Sequence, residues 1–146
     1  MKSMTERQND IVKEFASLSN WEERYKKLIQ KGKALPDLPE ELKTPEALVK
    51  GCQSQVWLHA SLDEDKNMIL RADSDALLVK GIVALLLEVF SGASPQEVLK
   101  GDLKFIEQIG LGEHLTPSRA NGLFAMIKQI KYFAAAFSMM SSQANQ

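Results

Sequence analysis

The residue with the clearest chemical potential is Cys52, the only cysteine in the chain. It stands in the run Gly51-Cys52-Gln53-Ser54-Gln55. A free cysteine is usually a small buried hydrophobe. Small and amide-bearing neighbours make a poor setting for a packed core position. Gly51 permits backbone conformations closed to other residues. The amides of Gln53 and Gln55 and the Ser54 hydroxyl are suited to hydrogen-bonding a thiolate or a persulfide. Lys50 is a candidate for lowering the thiol pKa if its ammonium approaches the sulfur. A hydrolase built on this thiol needs a base beside it. Only two histidines exist. His59 lies seven residues on, about 23 Å away along an extended chain at roughly 3.3 Å per residue. His114 reaches the thiol only if tertiary folding brings it there. Thiol–sulfur exchange requires less: a thiolate, an electrophilic sulfur and a leaving thiol.

Three functional classes stay open at this level. The first is a sulfur relay through Cys52. The second is a non-catalytic adaptor in which Cys52 is merely buried. The third is a thiol enzyme that pairs Cys52 with His114. The lone cysteine excludes an intramolecular disulfide, a dithiol redox cycle and a cysteine-rich metal or cluster site within one chain. No metal site is expected.

The elements that must position this thiol read as α+β. Ile11, Val12, Phe15 and Leu18 share one helical face. Asn20 with Glu23 predicts the start of a second helix, carrying Trp21, Tyr25, Leu28 and Ile29, with Gly32 placed to close it. Pro36, Pro39 and Pro45 mark an irregular connection. Val56, Leu58, Ala60 and Leu62 alternate with Trp57, His59 and Ser61. After the polar turn 63–67, Met68, Leu70 and Ala72 alternate with Ile69, Arg71 and Asp73. These runs predict an antiparallel hairpin, and Ala47–Lys50 is the candidate third strand. The expected sheet is therefore small, antiparallel and of about three strands, with helices packed on one side.

Ser74-Asp75 opens a helix that is apolar nearly all round through Phe90, the signature of a central buried helix. Asp73, Ser74 and Asp75 are expected to cap it. Ser94-Pro95-Gln96-Glu97 is a strong helix start. Phe105, Ile106 and Ile109 predict a short helix ending at Gly110 or Gly112. Thr116-Pro117 opens a last helix, and residues 138–146 are expected to fray. Arg119 falls in the first turn of that helix, where acidic groups are favoured. A pairing with Asp73 or Asp75 would explain it, and partner docking is the functional alternative.

Composition narrows the classes further. The chain has 146 residues, 45% hydrophobic and 25% charged, which suits one domain over 1–146. Eighteen Lys and Arg face nineteen Asp and Glu. That balance argues against a nucleic-acid binder or a polybasic membrane-surface protein. The stretch 76–90 contains Lys80 and Glu88 and is shorter than the roughly 20 apolar residues of a membrane span. Met1–Gln8 shows no apolar leader segment, so the expected compartment is the cytoplasm.

The run Gly51-Cys52-Gln53-Ser54-Gln55-Val56-Trp57 resembles the signature of the SufE family of cysteine-desulfuration proteins. Asp73-Ser74-Asp75-Ala76 leading into Val79-Lys80-Gly81 follows in the family's order. So do His114-Leu115-Thr116-Pro117-Ser118-Arg119 and Asn121-Gly122-Leu123. Trp21-Glu22-Glu23-Arg24-Tyr25 and Leu35-Pro36 match the N-terminal block, so the resemblance spans roughly 8–138.

The resemblance implies a fold similar to the SufE and iron–sulfur scaffold (NifU-like) proteins. It implies that Cys52 accepts sulfur as a persulfide from a SufS-like, pyridoxal-phosphate-dependent cysteine desulfurase and relays it to iron–sulfur scaffold proteins. The cofactor would belong to the partner, and none is expected on this chain. It further implies an apolar shelter for the persulfide and a 51–55 loop that swings out on Gly51. Gly51, Gln53, Ser54 and Gln55 then support the loop. Asp73, Asp75 and Arg119 are candidates for docking or loop ordering. The Gln-Ser-Gln run resembles the Suf-associated branch, and a homodimer is a possible assembly.

Overall fold

The computed structural model describes residues 2–144, with side chains through Met140. Helix α1 (Met4–Ala16) begins at a reciprocal cap: Ser3 Oγ accepts from the Glu6 amide, and the Glu6 carboxylate accepts from the Ser3 amide. Helix α2 (Trp21–Ala34) starts where Asn20 Oδ1 accepts from the Glu23 amide at 2.9 Å. Gly32 does not close it. The helix runs to Ala34 and caps at Leu35, while Gly32 is buried against the next long helix.

Strands β1 (Val56–Leu62) and β2 (Met68–Ser74) pair antiparallel, from Val56 opposite Ser74 to Leu62 opposite Met68. That register puts Val56, Leu58 and Ala60 on one face with Leu70 and Ala72. A pleated strand with period two can bury them all only by turning that face to the core. The sheet has two strands rather than three. Instead of a third strand, the chain makes a tight turn at Pro45–Ala47 and a single bridge from Leu48 to Trp57. Pro45 has no N–H to give a ladder, and the chain turns away at Gly51. The connection 36–48 instead covers the outer face of the hairpin. Leu42 O meets His59 Nε2 at 2.6 Å, and Lys43 Nζ lies 5.2 Å from the centre of the Trp57 ring.

Helix α3 (Leu77–Phe90) packs on β2 and α2, with Ile82, Val83, Leu85, Leu86, Val89 and Phe90 nearly inaccessible. The expected cap is corrected. Ala76 occupies the cap position without a side-chain bond, Ser74 Oγ accepts from the Ala76 amide, and Asp73 is engaged elsewhere. Helix α4 (Pro95–Lys100) is capped by Ser94 Oγ, as its sequence predicts. Helix α5 (Lys104–Gln108) stops just before Gly110, which adopts a left-handed φ of 69°. A further turn, α6 (Leu111–His114), was not anticipated.

Helix α7 (Pro117–Ala144) returns along α3 and α4. Its described part runs to Ala144, into the stretch 138–146 where fraying is expected. Residues 145 and 146 lie outside the described region. Among the described residues no helix is long and apolar enough to cross a membrane.

Candidate functional site around Cys52

The loop that carries Cys52 is tied at its base and free at its tip. At the base, the Val49 amide donates to Val56 O at 2.8 Å. The Gln55 amide donates to Asp75 Oδ1 at 3.0 Å, and the Asp75 amide donates back to Gln55 O at 3.2 Å. These two bonds join Asp75 to the base of the loop. Between these ties Lys50 and Gly51 make a tight turn, and the described residues Gln53 and Ser54 form no backbone–backbone hydrogen bond. Gly51 holds φ at 95°, a conformation that strains any residue with a Cβ. That turn lays Cys52 against α7, with Gly51 close to Ala125 and Cys52 against Gly122.

The thiol is half-buried, and Cys52 Sγ donates to Gly122 O at 3.6 Å. Burial pushes its pKa up. A carbonyl oxygen prefers an S–H to an S⁻, so contact and burial act in the same direction. In this pose the sulfur is held as a thiol. Lys50 does not alter that: it is exposed and does not line the site.

Cys52 opens on a cavity of about 370 Å³. Val79 and Ile82 of α3 and Met126 of α7 give it an apolar wall. Thr116, Ser118 and Arg119 from the start of α7, with Gln53 and Ser54 of the loop, give it a polar one. Arg119 is the one charged residue of this lining. The pairing of Arg119 with Asp73 or Asp75 is not formed: among the described residues it makes no ion pair. Its amide donates to Thr116 Oγ1 at 3.3 Å, so Thr116 caps the helix, and Arg119 is exposed where it lines the cavity.

Neither histidine lines the cavity. His114 stacks on Trp21 at 4.0 Å between ring centres, and His59 is bonded to Leu42 O. A Cys52/His114 catalytic pair is therefore not assembled. Asp73 serves the fold. It is buried, accepts from the amides of Leu38 (3.0 Å) and Ser74 (2.8 Å), and pairs with Lys80 at 3.2 Å and Lys43 at 3.6 Å. Burial pushes its carboxyl up, but the two amide bonds and Lys80 outweigh it and hold the pKa below the usual range.

Residue-by-residue reading of the sequence did not single out Val79, Ile82, Thr116, Ser118, Gly122 and Met126 as neighbours of Cys52. Most of them fall inside the blocks that carry the family resemblance, 79–81 and 114–123. Those blocks and the Cys52 block are distant in sequence and meet in one cavity.

Comparison with known proteins finds likeness over most of the chain. A family model described as "SufE: Fe-S metabolism associated domain" matches residues 9–134. An uncharacterized SufE-like protein of Rhizobium meliloti (strain 1021) is 46% identical over 127 residues, covering 84% of this chain and 91% of that one. The solution structure of a hypothetical protein from Thermus thermophilus superimposes with a TM-score of 0.75 at 26% identity. The match spans 91% of this chain and 96% of that one.

Proposed function

Because the chain belongs to the SufE family, a domain associated with Fe–S metabolism, we propose that Cys52 is the sulfur acceptor for a pyridoxal-phosphate-dependent cysteine desulfurase. The step is an exchange at sulfur. The Cys52 thiolate attacks the terminal sulfur of a persulfide on the partner's cysteine. The partner's S–S bond breaks as the new one forms, and the partner's thiolate leaves. No oxidant or reductant is consumed. Cys52 then holds the persulfide until a thiol of an iron–sulfur scaffold protein takes the terminal sulfur by the same exchange. The observation that carries this reading is the position of the thiol: a half-buried cysteine on a loop whose backbone is tied to other segments at its base, facing a cavity with no base beside it.

The pose also separates storage from reaction. Against Gly122 O the sulfur is protonated and poorly nucleophilic. The attacking thiolate is made when the loop leaves that carbonyl, and the untied tip between Val49 and Gln55 permits this. A second thiol beside the persulfide would displace its sulfur and close a disulfide. A chain with one cysteine avoids that.

The test is direct. Incubated with a cysteine desulfurase, its cofactor and cysteine, the protein gains the mass of one sulfur atom, mapped by peptide analysis to Cys52. Cys52→Ser gains none and no longer stimulates the desulfurase. A wild-type protein that stays unmodified while the desulfurase turns over would overturn the proposal.

A further inference from the structure

A persulfide extends only about 2 Å beyond the sulfur that bears it, so it leaves most of the 370 Å³ cavity empty. That volume lies at the small end of the range of about 300–1,000 Å³ in which small-molecule sites occur. The lining is divided as such sites are. Val79, Ile82 and Met126 face a hydrocarbon portion, and Thr116, Ser118 and Arg119 gather polar donors at the other side. The only charge is the Arg119 cation, which no carboxylate neutralises among the described residues. Cys52 Sγ opens into the same space.

We propose that this cavity is a receptor for small thiols that carry a carboxylate. Arg119 holds the anion by charge-assisted hydrogen bonds, and the hydroxyls of Thr116 and Ser118 complete its contacts. The ligand's short carbon chain lies on Val79 and Ile82, and its sulfur reaches Cys52. No acidic residue lines the cavity to receive an ammonium group. A plain mercapto acid therefore fits better than a zwitterionic amino acid, and an aminothiol fits worst. The inference rests on the proposed persulfide for its chemistry but not for its binding. In the loaded protein the ligand thiolate attacks the terminal sulfur of the Cys52 persulfide, a new S–S bond forms and the old one breaks. Cys52 leaves as a thiolate that takes up a proton, and the ligand departs as a persulfide. The site is then a second outlet for sulfur, to a small molecule rather than to a protein.

Two arms test it. In the first, unloaded protein is alkylated at Cys52 with iodoacetate and with iodoacetamide, reagents that differ in the carboxylate. The ratio of the two rates cancels any general change in loop exposure. Arg119→Gln is expected to lower the iodoacetate-to-iodoacetamide ratio about tenfold, and Arg119→Lys to restore part of it. In the second, persulfide-loaded protein is discharged by 3-mercaptopropionate or by cysteamine. Discharge is expected to saturate with 3-mercaptopropionate and to rise linearly with cysteamine. A ratio unmoved by Arg119→Gln overturns the receptor, as does a linear rise with both thiols. The alkylation arm needs no sulfur loading, so failure of the desulfurase assay leaves it standing and identifies the relay alone as wrong.

Discussion

Two of the places where a glycine lies against another part of the chain are built differently. Where α2 crosses α3, a Cβ on Gly81 would sit 2.0 Å from Leu28 O, and one on Gly32 would sit 2.8 Å from the Gly81 amide nitrogen. Both are backbone atoms of regular helices, with no rotamer to change. Where the Cys52 loop rests on α7, a Cβ on Gly122 would meet Cys52 Sγ at 3.4 Å, and one on Gly51 would meet the Ala125 Cβ at 3.3 Å. These neighbours belong to a side chain and to a loop whose tip lacks backbone hydrogen bonds. The helix crossing is a fixed joint. The loop contact closes around the thiol but is soft enough to open. The sulfur relay proposed above needs both, because the cavity walls on α3 and α7 must stay in place while the sulfur moves.

The largest expected effect comes from attacking the fixed joint. Gly81→Ala forces α2 away from α3, since Leu28 O cannot yield. Alanine favours an exposed helix over glycine by about 1 kcal/mol. Overpacking against backbone here exceeds that gain, with a net loss of about 3 kcal/mol expected. Chemical denaturation measures it. A variant as stable as wild type would show that the crossing is not fixed.

Asp73→Asn probes the joint between the hairpin and α3 at an intermediate scale. The carboxylate is buried and holds Lys80, Lys43 and the Leu38 amide. Losing its charge while keeping its shape is expected to cost about 2 kcal/mol at neutral pH. The pH dependence gives the sign. A carboxyl depressed in the folded state contributes its stability above the unfolded value of about 3.9 and loses it as pH falls through the folded value. The gap between wild type and Asp73→Asn should therefore be constant above about pH 5 and close in more acidic solution. Thermal melts from pH 7 to pH 2 measure it. The Cys52 alkylation rate should stay near its wild-type value, because Asp73 ties the fold and Asp75 ties the loop. A gap that widens toward low pH would contradict the assignment.

The fixed parts were also the parts most legible in the sequence. Alternation over 56–62 and 68–74 gave the hairpin face, because a pleated strand leaves that period whatever surrounds it. Asn20 and Ser94 announced their helices because capping is a local bond. Readings that failed depended on distant partners. Gly32 resembled a helix stop locally, and only the approach of Gly81 shows it to be a packing residue. Val49 and Lys50 carried no sign that the 36–48 connection would cover the hairpin in place of a strand. Cys52 stood out from its neighbours and the family resemblance implied a shelter beside it, but most of the residues lining the cavity were not legible locally, because the walls come from residues 79–82 and 116–126. Arg119 stood out as a cation in an unfavourable place, and only the fold shows that it lines the cavity with no carboxylate partner among the described residues.

The smallest effect on stability gives the sharpest test of the contrast, because it uses the same substitution as the largest. Gly122→Ala also adds one Cβ inside a helix, but what it meets is the Cys52 sulfur rather than a backbone carbonyl. The sulfur can retreat a few tenths of an ångström by shifting a loop tip held to α7 by the Cys52 Sγ bond to Gly122 O and by no backbone–backbone bond. The helix-propensity gain of up to about 1 kcal/mol then survives, and the protein should be slightly more stable than wild type. The energy lost is confined to the loop's contact with Gly122 O, so the resting thiol should be more open to water and more easily ionised. Alkylation of Cys52 by iodoacetamide at pH 7 should rise by a few-fold, on the order of 1 kcal/mol of lost burial and hydrogen bonding. Opposite signs for Gly81→Ala and Gly122→Ala in denaturation, with faster alkylation only in the second, would establish one locked and one releasable glycine contact. If Gly122→Ala also loses about 3 kcal/mol, the loop is packed as rigidly as the helix crossing. The thiol would then have no low-cost way out of its cavity, and the separation of storage from reaction would fall with it.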